Sequence, residues 1–285
     1  MNDSERKDMT AIPTVELNNG VHMPQVGYGV FQVPADETTQ AVTAALEAGY
    51  RSIDTATAYA NEAAVGKALA QSGIAREELF VTTKLWNSDQ GYDETLRAFD
   101  KSMADLGLEY LDLYLIHWPV PEADRYAASW RAFERLYSDS RIRAIGVSNF
   151  QPDHLERLAQ ESQIVPAVNQ IELHPYLQQA ELREYHAQHG IVTEAWSPLA
   201  KGGDLLGEQT VTALADKHGR TPAQIVLRWH LQLGNVVIPK SVTPSRIKEN
   251  LDVFGFELDE SDLAELAKLE KGLRTGPDPD TFNVR

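Results

Sequence analysis

Eight short runs rich in valine, isoleucine and leucine recur along the chain, separated by segments of helical period. The runs are QVGYGV, RSIDT, LFVTTKLW, LDLYLIHW, IRAIGVSN, PAVNQIEL, GIVTEAWSP and NVVIPKS. Between them lie DETTQAVTAALEAG, NEAAVGKALAQSG, GYDETLRAFDKSMADLG, AASWRAFERLYS, QPDHLERLAQ, QAELREYHAQHG and TPAQIVLRWHLQLG. In the third of these, Leu96, Phe99, Met103 and Leu106 share one stripe and Gly107 supplies a stop. The last begins with a Thr cap followed by Pro at the first helical position. Such alternation implies a parallel sheet, whose strands need helical crossovers. Eight units within 285 residues predict a closed (β/α)8 barrel, a TIM barrel, in one domain. An open doubly wound sheet would carry a Gly-rich turn after its first strand, and here Gly27 and Gly29 lack the third glycine.

Two additions flank the barrel. TVELNNGVHMP alternates around Asn19-Gly20 and predicts an N-terminal β-hairpin, and LDESDLAELAKLEKG predicts an added C-terminal helix. Residues 1–12 read as a flexible polar tail, leaving 13–285 as the single barrel domain. KGGDLLG and GLRTGPDPDTFNVR are the least regular stretches and are expected as mobile loops beside the site. The net charge of −16 argues against nucleic-acid or anionic-membrane surfaces, and no run is long and apolar enough for a transmembrane helix. The absence of cysteine removes disulfides and thiolate chemistry. A cytoplasmic protein is the expectation.

The strand ends carry the chemistry. Asp54, Lys84, His117, Ser148-Asn149, Gln170, Trp196-Ser197 and Lys240-Ser241 each close an apolar run. In a barrel these ends converge on one face, where active sites of such enzymes lie. Tyr59, just beyond Asp54, is then a candidate proton donor to a substrate oxygen. A phenol titrates near 10, and a neighbouring cation such as Lys84 is expected to lower that value. Asp54 would keep a buried Lys84 charged. His117 could orient a carbonyl and hydrogen-bond its oxygen. No H-E-x-x-H or clustered ligand spacing suggests a metal. Phe31, Trp86 and Trp118 flank the same ends and are expected to form an aromatic wall for substrate. Lys240, Ser241, Arg246 and Asn250, at the last strand end and the next helix, suit a phosphate, which Arg grips with two donors.

The segments GYRSIDTATAYANEAAVG, TTKLW, LDLYLIHWP, IGVSNF and IPKSVTPSRIKENL together resemble the aldo-keto reductases, from the hairpin to the C-terminus. Within that family the chain resembles the bacterial 2,5-diketo-D-gluconate reductase-like members. The resemblance implies a barrel binding NADPH across its C-terminal face and reducing aldehydes and ketones. Keto-sugar acids, 2-oxoaldehydes and aromatic aldehydes are the candidate substrate classes. It implies a tetrad of Asp54, Tyr59, Lys84 and His117, with Tyr59 the general acid. Ser148, Asn149 and Gln170 would hold the nicotinamide carboxamide, and Trp196, a tyrosine in many relatives, would stack on the ring. Ser197 and Leu199 would meet the pyrophosphate. Ile238, Lys240, Ser241, Val242, Arg246, Glu249 and Asn250 would complete the cofactor site around the 2′-phosphate. A monomer is implied.

Overall fold

The computed structural model describes residues 12–284. Apart from Ile12, the expected N-terminal tail lies outside the described residues. The hairpin is present: Thr14–Glu16 (β1) pairs antiparallel with His22–Pro24 (β2), and Gly20 takes the left-handed conformation the turn requires, at φ 82°. Its Leu17 and Met23 are buried against Phe80, Leu113, Ala144, Val168 and Val236. The hairpin thereby plugs the N-terminal end of the barrel.

The barrel strands are Tyr28–Gly29 (β3), Ser52–Asp54 (β4), Phe80–Leu85 (β5), Leu111–Ile116 (β6), Ile142–Ser148 (β7), Val168–Glu172 (β8), Val192–Trp196 (β9) and Val236–Val237 (β10). Each pairs in parallel with the next, in chain order. Closure comes from a parallel bridge between Val26 and Val237, with Gly27 N donating to Val237 O at 2.8 Å and Val237 N to Gln25 O at 3.1 Å. Gly27 and Gly29 are explained here. A Cβ on Gly27 would stand 2.9 Å from Ser52 Oγ, and one on Gly29 would stand 3.0 Å from Ile238 O. These glycines let the first and last strands meet.

Outside lie Ala35–Ala48 (α1), Glu62–Gln71 (α2), Tyr92–Leu106 (α3), Tyr126–Ser138 (α4), Pro152–Glu161 (α5), Ala180–His189 (α6), Gln209–His218 (α7), Pro222–Gln232 (α8), Pro244–Leu251 (α9) and Glu260–Ala267 (α10). In α3 the buried face carries Phe99, Met103 and Leu106, and Gly107 ends it in the left-handed conformation. In α8 the Thr221 side chain accepts from Gln224 N, closing a capping box. The added C-terminal helix is α10. One helix was not legible in the sequence: α7, between β9 and α8, whose apolar stripe is only Val211, Leu214 and Ala215. KGGDLLG before it forms two 3-10 turns, Ala200–Gly202 and Asp204–Gly207.

Candidate active site

Asp54 ends β4 and Lys84 stands on β5, one strand away. Lys84 is fully buried (0% exposed), and its Nζ donates to Asp54 Oδ1 at 2.5 Å and to Thr55 O at 2.9 Å. The chain after β4 makes a 3-10 turn, Thr57–Tyr59, stopped by Ala60 in the left-handed conformation. That turn swings Tyr59 back over the pair, with the Lys84 ammonium 5.2 Å from its ring centroid. His117, just past β6, meets the same phenol edge-on with ring centroids 5.8 Å apart. Three successive strand ends thus bring Asp54, Lys84 and His117 together around one phenol ring.

Lys84 acts on Tyr59 in the expected direction, but the net shift of the phenol is upward. Burial is the largest influence on Tyr59 and raises its pKa above the ordinary phenol value. Lys84 pulls it down by its charge, while Asp54 and Glu194 push it up. The ammonium therefore offsets part of the burial penalty and does not bring the phenol below its usual range. On Lys84, burial disfavours the charge, but Asp54 and Tyr59 outweigh it and the pKa rises. The lysine stays an ammonium, as expected. His117 is held well below its ordinary value by burial and then by Lys84, so the imidazole is neutral. Its Nδ1 is buried without a protein partner among the described residues.

The neighbouring strand ends form one network. Ser148 Oγ donates to Gln170 O at 2.8 Å and accepts from Asn149 Nδ2 at 3.1 Å. Asn149 Nδ2 also donates to His117 O at 3.0 Å, and Asn149 Oδ1 receives the Trp196 indole N–H at 2.8 Å. Asn149 thus ties the histidine strand to the tryptophan strand. Gln170 Nε2 spends its hydrogens on Asp54 Oδ2 and Glu194 Oε2, both at 2.8 Å. This leaves Gln170 Oε1 as an acceptor for a ligand amide. Ser197 sits at φ 47° just after Trp196, turning the chain toward half-buried Leu199.

At the far rim, Lys240, Val242 and Arg246 are exposed, Ser241 is half-buried and Asn250 is buried. Glu249 accepts from the Thr221 hydroxyl at 2.8 Å, so it braces α9 against α8. Ile238 packs against Gly27 in the closing seam. Of the aromatic wall, Trp86 meets the His117 ring at 5.3 Å and Phe31 meets Tyr59 at 5.1 Å. Phe31 is 48% exposed and forms the outer lip, whereas Trp118 is buried.

The C-terminal segment corrects the expectation of a mobile loop beside the site. Glu172, at the end of β8, accepts from Thr275 N (2.5 Å), Thr275 Oγ1 (2.6 Å) and Gly276 N (3.0 Å). Further on, Phe282 packs on Trp118 with centroids 4.5 Å apart, and Asn87 Nδ2 donates to Val284 O at 2.7 Å. The segment is a strap pinned across the barrel mouth. Sequence reading missed Phe282, Glu172 and Glu194. The two acids had a signal: Glu172 lies two residues after Gln170, and Glu194 two before Trp196, so strand alternation places each beside a site residue.

Comparison with known proteins bears on this geometry. The model of the Aldo/keto reductase family matches residues 25–271. An aldo-keto reductase of Mycolicibacterium smegmatis is 60% identical over 271 residues, covering 95% of this chain and 98% of its own. Methylglyoxal reductase DkgA of Escherichia coli is 54% identical over 274 residues, covering 95% and 99%. The crystal structure of a Gox0644 variant in complex with NADPH superposes with a TM-score of 0.92 at 50% identity, covering 95% and 99%.

Proposed function

Since this chain belongs to the aldo/keto reductase family, we propose that it reduces small aldehydes and ketones to alcohols with NADPH, Tyr59 acting as general acid. The observation that carries the reading is the buried Lys84–Asp54 pair beneath Tyr59, with neutral His117 facing the same phenol. Similarity to a methylglyoxal reductase favours 2-oxoaldehydes among the substrates, with keto-sugar acids and aromatic aldehydes as further classes.

The donor set fits the cofactor. Gln170 Oε1, left over from the two bonds of its Nε2, can accept a carboxamide N–H. Trp196 offers a half-buried indole face in the mouth. Exposed Lys240 and Arg246 form a local cationic rim on a chain of net charge −16, suited to a 2′-phosphate. When bound, NADPH supplies a hydride to the carbonyl carbon.

The protein's part is to orient the carbonyl and deliver the proton. His117, neutral, can hydrogen-bond the carbonyl oxygen without competing for the proton. The Tyr59 hydroxyl transfers its hydrogen to the oxygen as negative charge develops there. A developing alkoxide is a much stronger base than phenolate, so the transfer is favourable even with the phenol pKa raised by burial. Lys84 then stabilises the phenolate left behind, and Asp54 keeps Lys84 charged. Phe31, Trp86, Trp118 and Phe282 exclude water around the carbonyl, which strengthens these interactions.

The test is Tyr59→Phe assayed beside wild type on a carbonyl panel that includes methylglyoxal, following NADPH absorbance. Turnover should fall by about 10²–10⁴-fold, the range for a lost general acid, with NADPH affinity retained. Full turnover in the variant would end the assignment.

A further inference from the structure

Glu194 stands inside the barrel, two residues before Trp196 on β9, and its side chain is fully buried. Oε2 accepts from Gln170 Nε2 at 2.8 Å, and Oε1 has no partner among the described residues. The same amide nitrogen donates to Asp54 Oδ2 at 2.8 Å. One side-chain amide thus bridges two buried carboxyl groups. The nearby ammonium, Lys84, is bonded to Asp54 and to Thr55 O. A buried acid with an orphaned oxygen is expensive, and an apolar residue would fill this strand position with no such penalty. Its presence calls for a function.

The function follows from what an amide can do wrongly. The oxygen and nitrogen ends of Gln170 are nearly the same size, so its orientation is set only by its partners. With Asp54 and Glu194 both accepting on one side, turning the amide over would lose the bond to Asp54 and aim the amide oxygen at that carboxylate. We propose that Glu194 is a positioning residue of the reductase: together with Asp54 it clamps the Gln170 amide so that Oε1 faces the cofactor carboxamide. The inference rests on the carbonyl-reductase reading above.

The protonation of Glu194 fits that role. Burial first, then the charge of Asp54, raises its carboxyl pKa to about 8, against opposing pulls from Gln170 and Lys84. At neutral pH it therefore accepts from Gln170 without placing a second negative charge beside Asp54. The charged and titratable groups that face it are Asp54 from β4, Tyr59 from the following turn and Lys84 from β5. When Glu194 ionises, its charge raises the Tyr59 pKa further and makes the phenol a poorer acid.

The experiment compares wild type, Glu194→Leu and Glu194→Gln. Three readouts are taken across pH: NADPH dissociation constants from tryptophan quenching, steady-state constants with methylglyoxal, and melting temperatures. Glu194→Leu should raise the NADPH dissociation constant about fivefold, the weight of one lost hydrogen bond. Glu194→Gln, whose amide oxygen can still accept from Gln170, should recover most of that loss at neutral pH. Wild-type kcat should fall with a midpoint at about pH 8 as Glu194 ionises, and both variants should lack that fall. Wild-type affinity and an unchanged alkaline limb in Glu194→Leu would overturn the proposal. Equal affinity losses in both variants, tracking lowered melting temperatures, would also overturn it by reducing Glu194 to packing. If wild type failed to turn over any carbonyl, the reductase reading would fall, while the dissociation constants would still decide the role of Glu194.

Discussion

Replacing Gly276 by alanine tests how the C-terminal strap and the proposed cofactor site share a boundary. A Cβ built there overlaps Cη2 of Trp196 and stands 3.2 Å from Cζ3 and 3.3 Å from Glu172 Oε2. Carbon atoms pack comfortably at about 3.5–4.0 Å, so something must move. Overpacking of this kind costs about 1–3 kcal/mol if neither side yields. Which side yields is decided by what holds each. The strap is fixed at this point by three hydrogen bonds to the Glu172 carboxylate, each worth about 1.5–3 kcal/mol because the acceptor is charged. Trp196 is tethered by one neutral bond to Asn149 Oδ1, worth about 0.5–1.5 kcal/mol. The indole should move and the strap should stay. On the proposed stacking of Trp196 against the nicotinamide, tilting it forfeits aromatic contact of about 0.5–1.5 kcal/mol, which corresponds to about a 2- to 12-fold weaker NADPH complex. Titrating Gly276→Ala with NADPH by tryptophan quenching should show that loss with a melting temperature close to wild type. Wild-type NADPH affinity with a clearly lowered melting temperature would mean that the strap gave way, and the ranking of the two tethers would be wrong.

Arg246→Ala should raise the KM for NADPH by about 10- to 100-fold, from the loss of a charge-assisted pair, and leave that for NADH nearly unchanged. Equal effects on both cofactors would remove Arg246 from the 2′-phosphate site. Glu194 also predicts a pH dependence of stability. Its folded pKa, raised to about 8 by burial and then by Asp54, exceeds that of the unfolded chain, about 4.3. Its contribution is therefore fully present below the unfolded value and lost as pH rises through the folded one. Urea unfolding of wild type and Glu194→Leu between pH 5 and 9 should show stability declining more in wild type; parallel curves would refute a raised carboxyl there.

The barrel was legible because its signals are local. Each strand run and each helical stripe declares itself within about ten residues, and a strand end needs no distant partner to be recognised. Hence Asp54, Tyr59, Lys84 and His117 could be placed in one pocket before any distance was known. The strap was not legible, because what fixes it is a carboxylate at 172 meeting backbone at 275–276, a pairing without period or spacing. Helix α7 escaped for a related reason: three buried residues are too short a stripe to stand out beside the glycines of KGGDLLG. The direction of the Tyr59 shift escaped for another. The sequence names the cation that lowers the phenol pKa, but the opposing influence is depth of burial, which only packing from many segments sets. Residue identity thus fixes which groups meet at the mouth, while the sign of their balance depends on what the barrel and strap exclude. Glu194 lies between these cases: strand alternation points it inward, yet its meaning appears only when one amide is seen to bridge it to Asp54.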